Sequence, residues 1–189
     1  RGLGDVYKRQ SVRHAVISAV LPALGASEVR TMTLDRSAAA STPAGNVASL
    51  LGAGFTASFN ATINGVRYTA SADELLRKTA AKAWLNGATA NEWQVSAPLT
   101  NSAGAAHPHL NARFSVRWYE TVKKARVDVV IENNWAYEAA PQNFTYDAQI
   151  LVGGTPVYTK PAMQHYHHAR WRKMFWWNGS APVSYTHLT

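Results

Sequence analysis

The chain contains no cysteine among its 189 residues. This absence excludes a disulfide framework, a thiolate metal site and a cysteine nucleophile. Acidic residues are also scarce, with 11 Asp and Glu against 19 Lys and Arg, which gives a formal net charge of +8. A basic balance of this size has two interpretations. It could favour an anionic partner, such as an acidic polysaccharide, a nucleic acid or a phospholipid surface. It could also be balanced by acidic parts of a longer protein and have no bearing on binding.

Long apolar runs are missing as well. The longest one, residues 15–26, is too short to span a bilayer and contains Pro22. We therefore predict no membrane insertion. The chain also lacks a nucleophile elbow, a phosphate-binding loop and a dinucleotide fingerprint. The sequence thus points to no catalytic residue and to no cofactor.

What the chain does have is a dominant apolar period of two. Residues 12–21 are apolar on both faces, which is typical of a buried strand, and residues 29–34 predict a short partner strand. Residues 55–63 and 66–70 alternate between apolar and polar on either side of Asn64-Gly65. Because Asn and Gly both tolerate positive φ, this pair predicts a two-residue β-hairpin turn.

The remaining patterns extend the same architecture. Further strands are predicted over residues 82–85, 92–97, 112–119, 126–132 and 144–151. Two short helices are expected, one around residues 47–51 and one that starts after Ser71 with a capping box to Glu74. We therefore predict an all-β fold, an antiparallel β-sandwich or barrel-like domain with one or two short helices.

Both ends of the chain resemble translated adapter DNA. Residues 5–10 resemble the translation of a transposase adapter used to fragment DNA for sequencing, and residues 183–188 resemble that of its reverse complement. We therefore set residues 1–10 and 183–189 apart from the fold. Leaving them out removes three positive charges and one negative charge, which lowers the net charge from +8 to about +6. The chain is then expected to be a piece of a longer protein.

A second resemblance concerns the order of short motifs along the chain. They are Ser11-Val12-Arg13-His14 at the start of a strand, Thr31-Met32-Thr33-Leu34 at the end of the next, Glu92-Trp93 after a turn, Pro98, His109, and the strands at 113–120 and 126–133. This order resembles the N-terminal barrel-like β domain of the exo-rhamnogalacturonan lyase family of polysaccharide-degrading proteins, over most of residues 11–157. The resemblance implies that a helical catalytic domain follows in the parent chain and carries its catalytic residues.

The densest constellation of functional side chains lies in residues 161–182, after a β domain that we place at residues 11–160. It combines rings, cations and imidazoles, and the predicted carbohydrate contacts are His168, Arg170, Trp171, Trp176 and Trp177. Flat rings can cover the apolar faces of sugars while Arg and His donate hydrogen bonds to hydroxyls and carboxylates. In the alternative interpretation, the tryptophans pack the β core or a neighbouring domain.

Two other chemistries were weighed for the same region. His165 and His167, two residues apart on an extended chain, could ligate a metal, but no third ligand stands at a diagnostic spacing. Basic residues on the predicted strands and turn are interleaved with aromatics but form no RNA-binding signature, so the pattern does not favour nucleic acid.

These observations lead to one expected function and one alternative. We expect an accessory β domain of a carbohydrate-associated, polysaccharide lyase-like protein, which binds an acidic polysaccharide, meets a downstream domain of its own chain and is not catalytic alone. Similar β domains occur in phage-associated and bacterial surface proteins, so the alternative is a structural or receptor-binding module. Both interpretations favour an extracytoplasmic location or a phage particle.

Overall fold

The computed structural model describes residues 16–21, 23–33, 42–134 and 138–179. Both adapter-like ends, at 1–10 and 183–189, lie outside these residues, and so does the Ser11-Val12-Arg13-His14 motif. The chain divides into two units, Arg1–Arg36 and Ser37–Thr189. Each is described by itself.

In the first unit, the prediction of two strands at residues 12–21 and 29–34 is wrong for the residues that the structure describes. Their described parts, 16–21 and 29–33, contain no strand; residues 12–15 and 34 lie outside the described residues. The described residues of this unit include a turn, in which the Glu28 N–H donates to the Gly25 carbonyl at 3.2 Å. An apolar segment becomes a strand only when a neighbour supplies ladder hydrogen bonds, and no described residue of this unit does so.

The second unit is a single antiparallel sheet with two short helices, which confirms the predicted fold class. The helices are α1 (Val47–Gly52) and α2 (Ala72–Lys78). The strands are β1 (Ala57–Ile63), β2 (Val66–Ser71), β3 (Lys82–Asn86), β4 (Asn91–Asn101), β5 (Ala106–Tyr119), β6 (Lys124–Asn133), β7 (Phe144–Val152), β8 (Thr155–His165) and β9 (Ala169–Trp177).

The strand order is β8-β7-β1-β2-β4-β5-β6-β9, and β3 adds to the edge of β4 beside β2. The two end strands, β8 and β9, approach each other, so the sheet curls into a nearly closed barrel. Tyr158 of β8 lies 5.9 Å from Trp171 of β9 between ring centroids, although no ladder pairs these strands among the described residues. We call this junction the seam.

Alternation along the strands fills the barrel. Ala112, Phe114, Val116 and Trp118 of β5 are 0% exposed, and their neighbours on the strand face outward. The other large buried side chains at the centre are Phe55, Phe59, Leu50, Leu99, Leu110, Val127, Ile131, Tyr146 and Ile150.

The turns follow the sequence closely. Asn64 and Gly65 have φ of 49° and 79° between β1 and β2, which confirms the predicted hairpin. Lys123 occupies the left-handed region at φ 50° between β5 and β6. Helices α1 and α2 lie at the predicted positions, and the boundary predicted at residue 160 falls within β8.

The predicted capping box at Ser71 is not formed. Ser71 is the last residue of β2, where it pairs with Ser58, and its side chain makes no capping bond. Glu74 instead pairs with Lys78 at 3.3 Å. The helix with a capping box is α1, in which Asn46 and Ser49 bond each other's backbone N–H.

Among the described residues, no helix is both long and apolar enough to cross a membrane.

Candidate functional site

Strand β9 divides the predicted carbohydrate contacts between two faces of the sheet. Trp171 and Trp177 stand opposite Ile131 and Ala125, which are fully buried, so their side chains belong to the inner face. Arg170 and Trp176 alternate with them and belong to the outer face, beside Glu132 and Arg126 of β6. The five predicted residues therefore do not form one contact surface.

The two inner tryptophans pack against the core. The centroid of Trp171 lies 5.5 Å from that of Phe59, and its Nε1–H donates to the Tyr146 hydroxyl at 2.9 Å. Trp177 packs edge-to-face on Phe55 at 5.9 Å and lies 6.2 Å from Trp118. Because aromatic pairs of this kind stabilise cores, these rings anchor β9.

His165 is a buried histidine with both ring nitrogens engaged. Its Nε2 lies 3.0 Å from the Ala169 carbonyl oxygen and its Nδ1 lies 2.9 Å from the Tyr146 hydroxyl. A carbonyl only accepts, so we assign the proton to Nε2, and Tyr146 then donates to Nδ1. Burial lowers the pKa of His165. With both nitrogens used, this imidazole has no lone pair to offer a metal.

The metal hypothesis placed His165 and His167 on an extended chain, but a turn follows His165. It runs from Tyr166 to Ala169, closed by the Ala169 N–H to the Tyr166 carbonyl at 3.2 Å. His167 and His168 lie within it, with ring centroids 3.9 Å apart. Among the residues that the structure describes, no group of three His, Cys, Asp or Glu side chains is placed to hold a metal ion.

The outer face of β5, β6 and β9 carries carboxylates beneath arginines. Arg172 Nε donates to Asp128 at 2.8 Å, and the two side chains are 62% and 6% exposed. Arg113 pairs with Glu132 at 3.2 Å, at 49% and 12% exposure. The carboxylates are thus covered, while the guanidinium groups meet solvent. We call this surface the arginine face.

The arginine face continues toward β4 through a third carboxylate, that of Glu92. Glu92 accepts from Arg117 Nε at 2.6 Å and lies 3.7 Å from Arg126, which also pairs with Asp128 at 3.2 Å. Buried ion pairs of this kind contribute little net stability, because desolvation offsets their attraction. Their effect is to hold each guanidinium group beside its carboxylate.

Trp176 is the aromatic side chain at the far end of the arginine face. It stacks on Tyr119 with centroids 5.7 Å apart and planes 27° apart. Its ring is half-buried, and its Nε1 has no hydrogen-bond partner among the described residues. That nitrogen is itself buried, so the exposed part of the ring, and not the N–H, is what a ligand on this face could contact.

Sequence reasoning missed the partners that shape this face. Arg113, Arg117 and Tyr119 lie at even spacings along β5 and so share its outer face. Asp128 and Glu132 are four residues apart on β6 and share its outer face. The period of two does predict that each set shares a face. It does not predict which neighbouring strand lies beside it, and that decides the ion pairs.

No family model, curated protein or solved structure matches this chain.

Proposed function

We propose that this chain is an accessory β domain that binds an acidic polysaccharide on its arginine face. The observation that carries the proposal is the burial of the carboxylates beneath exposed guanidinium groups. A ligand that approaches this face meets positive charge, even though acids and bases alternate in the sequence. Of the predicted contacts, Arg170 and Trp176 lie on this face; Trp171 and Trp177 support it from inside the barrel.

The chemistry of the face suits a chain of uronate sugars. Guanidinium groups bind carboxylates through paired hydrogen bonds, and an indole ring can cover the apolar side of a sugar. Arg170 and Trp176 are six residues apart on β9, a span on the order of 20 Å at the usual rise of a strand. An oligosaccharide of several residues would reach both.

The proposal is one of binding and not of catalysis. The buried acids of this face, Glu92, Asp128 and Glu132, are each held by an arginine. A catalytic acid or base must come within hydrogen-bond reach of the bound substrate, and these carboxylates lie beneath the arginines that cover them. An accessory role also agrees with the motif order, which resembles a β domain that precedes a catalytic one.

Calorimetry with oligogalacturonate and oligoglucuronate tests the proposal. Arg170 is an exposed residue, and none of the ion pairs of the described residues includes it, so Arg170→Ala should leave the fold intact. We expect Arg170→Ala and Trp176→Ala each to weaken binding by about tenfold, the effect of roughly one charged hydrogen bond or stacked ring. Added salt should weaken binding further.

Arg67→Ala is the matched control, because it removes the same charge from the exposed surface of β2. It should leave affinity unchanged. Equal losses for Arg67→Ala and Arg170→Ala would reduce the effect to net charge and would contradict a defined face. Absence of binding to either uronate chain would contradict the proposal, and tighter binding to single-stranded DNA would replace it with a nucleic-acid surface.

A further inference from the structure

One end of the barrel carries an irregularity in β5 that the arginine face does not use. Pro98 of β4 pairs with Asn111 of β5, whereas Thr100 pairs with Ala106. The additional residues of β5 form a bulge at 107–110, in which His107 Nδ1 accepts from the N–H groups of His109 and Leu110 at 3.1 and 3.0 Å. Bulges commonly redirect side chains beside binding sites.

The bulge brings aromatic and imidazole rings together from three strands. The centroid of His107 lies 5.0 Å from that of Tyr68 on β2 and 4.9 Å from that of Phe144 on β7. His109 lies 5.6 Å from Phe144. These rings form one wall of an open pocket at this end of the barrel, which is a common place for ligand sites in β-barrels.

The pocket has a volume of about 580 Å³, and none of the described residues that line it is an Asp, Glu, Lys or Arg. Besides the histidines, the lining offers rings, amides and a hydroxyl, from Tyr68, Phe144, Asn64, Gln142, Asn143 and Thr145. This is the opposite of the arginine face. A charged residue, Glu138, lines an adjoining pocket that shares His107 and His109. A neutral ligand with hydroxyl groups would find donors, acceptors and flat apolar surface in the lining itself.

Two imidazole nitrogens at this end lack hydrogen-bond partners. They are the buried Nδ1 atoms of His109 and His167, among the residues that the structure describes. His109 is 5% exposed and lines the pocket. A buried polar atom without a partner is costly. Both nitrogens are buried, so a sugar hydroxyl, which donates and accepts, would supply the missing bond to His109 only with a rotation of that ring.

We propose that this pocket binds an uncharged sugar residue, with His109 as a hydrogen-bonding contact and Phe144 as part of the apolar wall. The ligand class deepens the proposed carbohydrate function, and the site is separate from the arginine face. Burial lowers the pKa of His107 to about 4. That imidazole is therefore uncharged near neutral pH and brings no charge to the pocket. The chain would then hold uronates along β9 and a neutral sugar at the end of the barrel.

Nuclear magnetic resonance of the full chain tests the pocket. Mannose, galactose, xylose and cellobiose serve as probes, and the side-chain signals of His109 and Phe144 report binding. We expect at least one probe to shift both signals to saturation. His109→Phe keeps a ring of similar size but removes both nitrogens, and Gln142→Ala shortens a lining residue at the exposed rim. Each should weaken binding by about tenfold.

Lys82→Ala is the control, because it alters the exposed surface of β3, outside both proposed sites, and should leave neutral-sugar binding unchanged. If uronates bind and no neutral probe shifts His109, the pocket inference fails while the proposed function stands. If a neutral sugar binds and uronates do not, the arginine face fails alone. If zinc shifts His109 and His167 while the sugars do not, the pocket is a metal site and the sugar proposal is overturned.

Discussion

The centre of the sheet and its seam are built from similar alternating sequences but differ in burial. At the centre, four successive inward residues of β5 are 0% exposed. At the seam, β9 places Trp171, Phe175 and Trp177 inward, yet all three remain partly exposed. The strands of the centre have neighbours on both sides, whereas β8 and β9 each have one. Alternation therefore determines which face a residue occupies, and the neighbours determine how deeply it is buried.

The seam also carries residues that discourage pairing with another chain. Strand β8 contains Pro156 and Pro161, and Ala162 has a positive φ of 47° beside an irregularity in the pairing with β7. Strand β9 carries Arg170, Arg172 and Lys173. Prolines, local irregularities and charges are the usual protection of exposed edges.

The largest expected effect comes from a tryptophan at the centre compared with one at the edge. Trp118→Ala should lower the free energy of unfolding by about 3–5 kcal/mol, because it opens a core cavity and removes the Nε1–H donor to Glu120. Trp84→Ala on β3, where the ring is 61% exposed, should cost less than about 1 kcal/mol. Urea unfolding checks both, and equal losses would remove the distinction between centre and edge.

Acid should destabilise the barrel through His107. Its pKa is about 4 in the folded chain, against 6.5 for the unperturbed group, because of burial and the nearby His109. Stability is therefore complete above about pH 6.5 and falls as the pH decreases toward 4, by up to about 3 kcal/mol. Urea unfolding at several pH values measures the slope. His107→Phe should flatten the slope over this range, and an unchanged slope would assign it to other groups.

The buried hydrogen bonds at the seam predict an intermediate effect. Tyr146→Phe leaves the Trp171 Nε1–H and the His165 Nδ1 without their shared partner, which should cost about 2 kcal/mol. Tyr158→Phe is the control, since no hydrogen bond of that hydroxyl is found within the described residues. A melting temperature that drops equally in both variants would show that the network does not stabilise the seam.

The smallest expected effect separates the two helices. Asn46→Ala removes the side-chain cap of α1 and should cost about 1 kcal/mol. Ser71→Ala should change stability by only a few tenths of a kcal/mol, because Ser71 makes no capping bond. Thermal unfolding of the two variants compares them. A larger loss at Ser71 would show that its capping box does form in solution.

Sequence reasoning was most accurate where the signal is local. The Asn64-Gly65 turn needs two residues that tolerate positive φ, and the strands of the centre need only an unbroken period of two. The strand prediction was wrong for residues 16–21 and 29–33, the described parts of the two predicted N-terminal strands, because neither segment is a strand. Apolar composition alone does not provide a ladder partner. Sequence reasoning was also wrong for Ser71, because pairing with Ser58 in β2 takes precedence over the cap.

The candidate sites show the same division between local and distant information. The sequence by itself determined that β9 is rich in rings and cations, and that alternate residues point to opposite faces. Only the tertiary structure decided that Trp171 and Trp177 face the core, that Asp128 lies beneath Arg172, and that His165 closes a buried hydrogen-bond chain. The reason is physical: these outcomes depend on the neighbouring strand and its register, which residues distant in the chain supply.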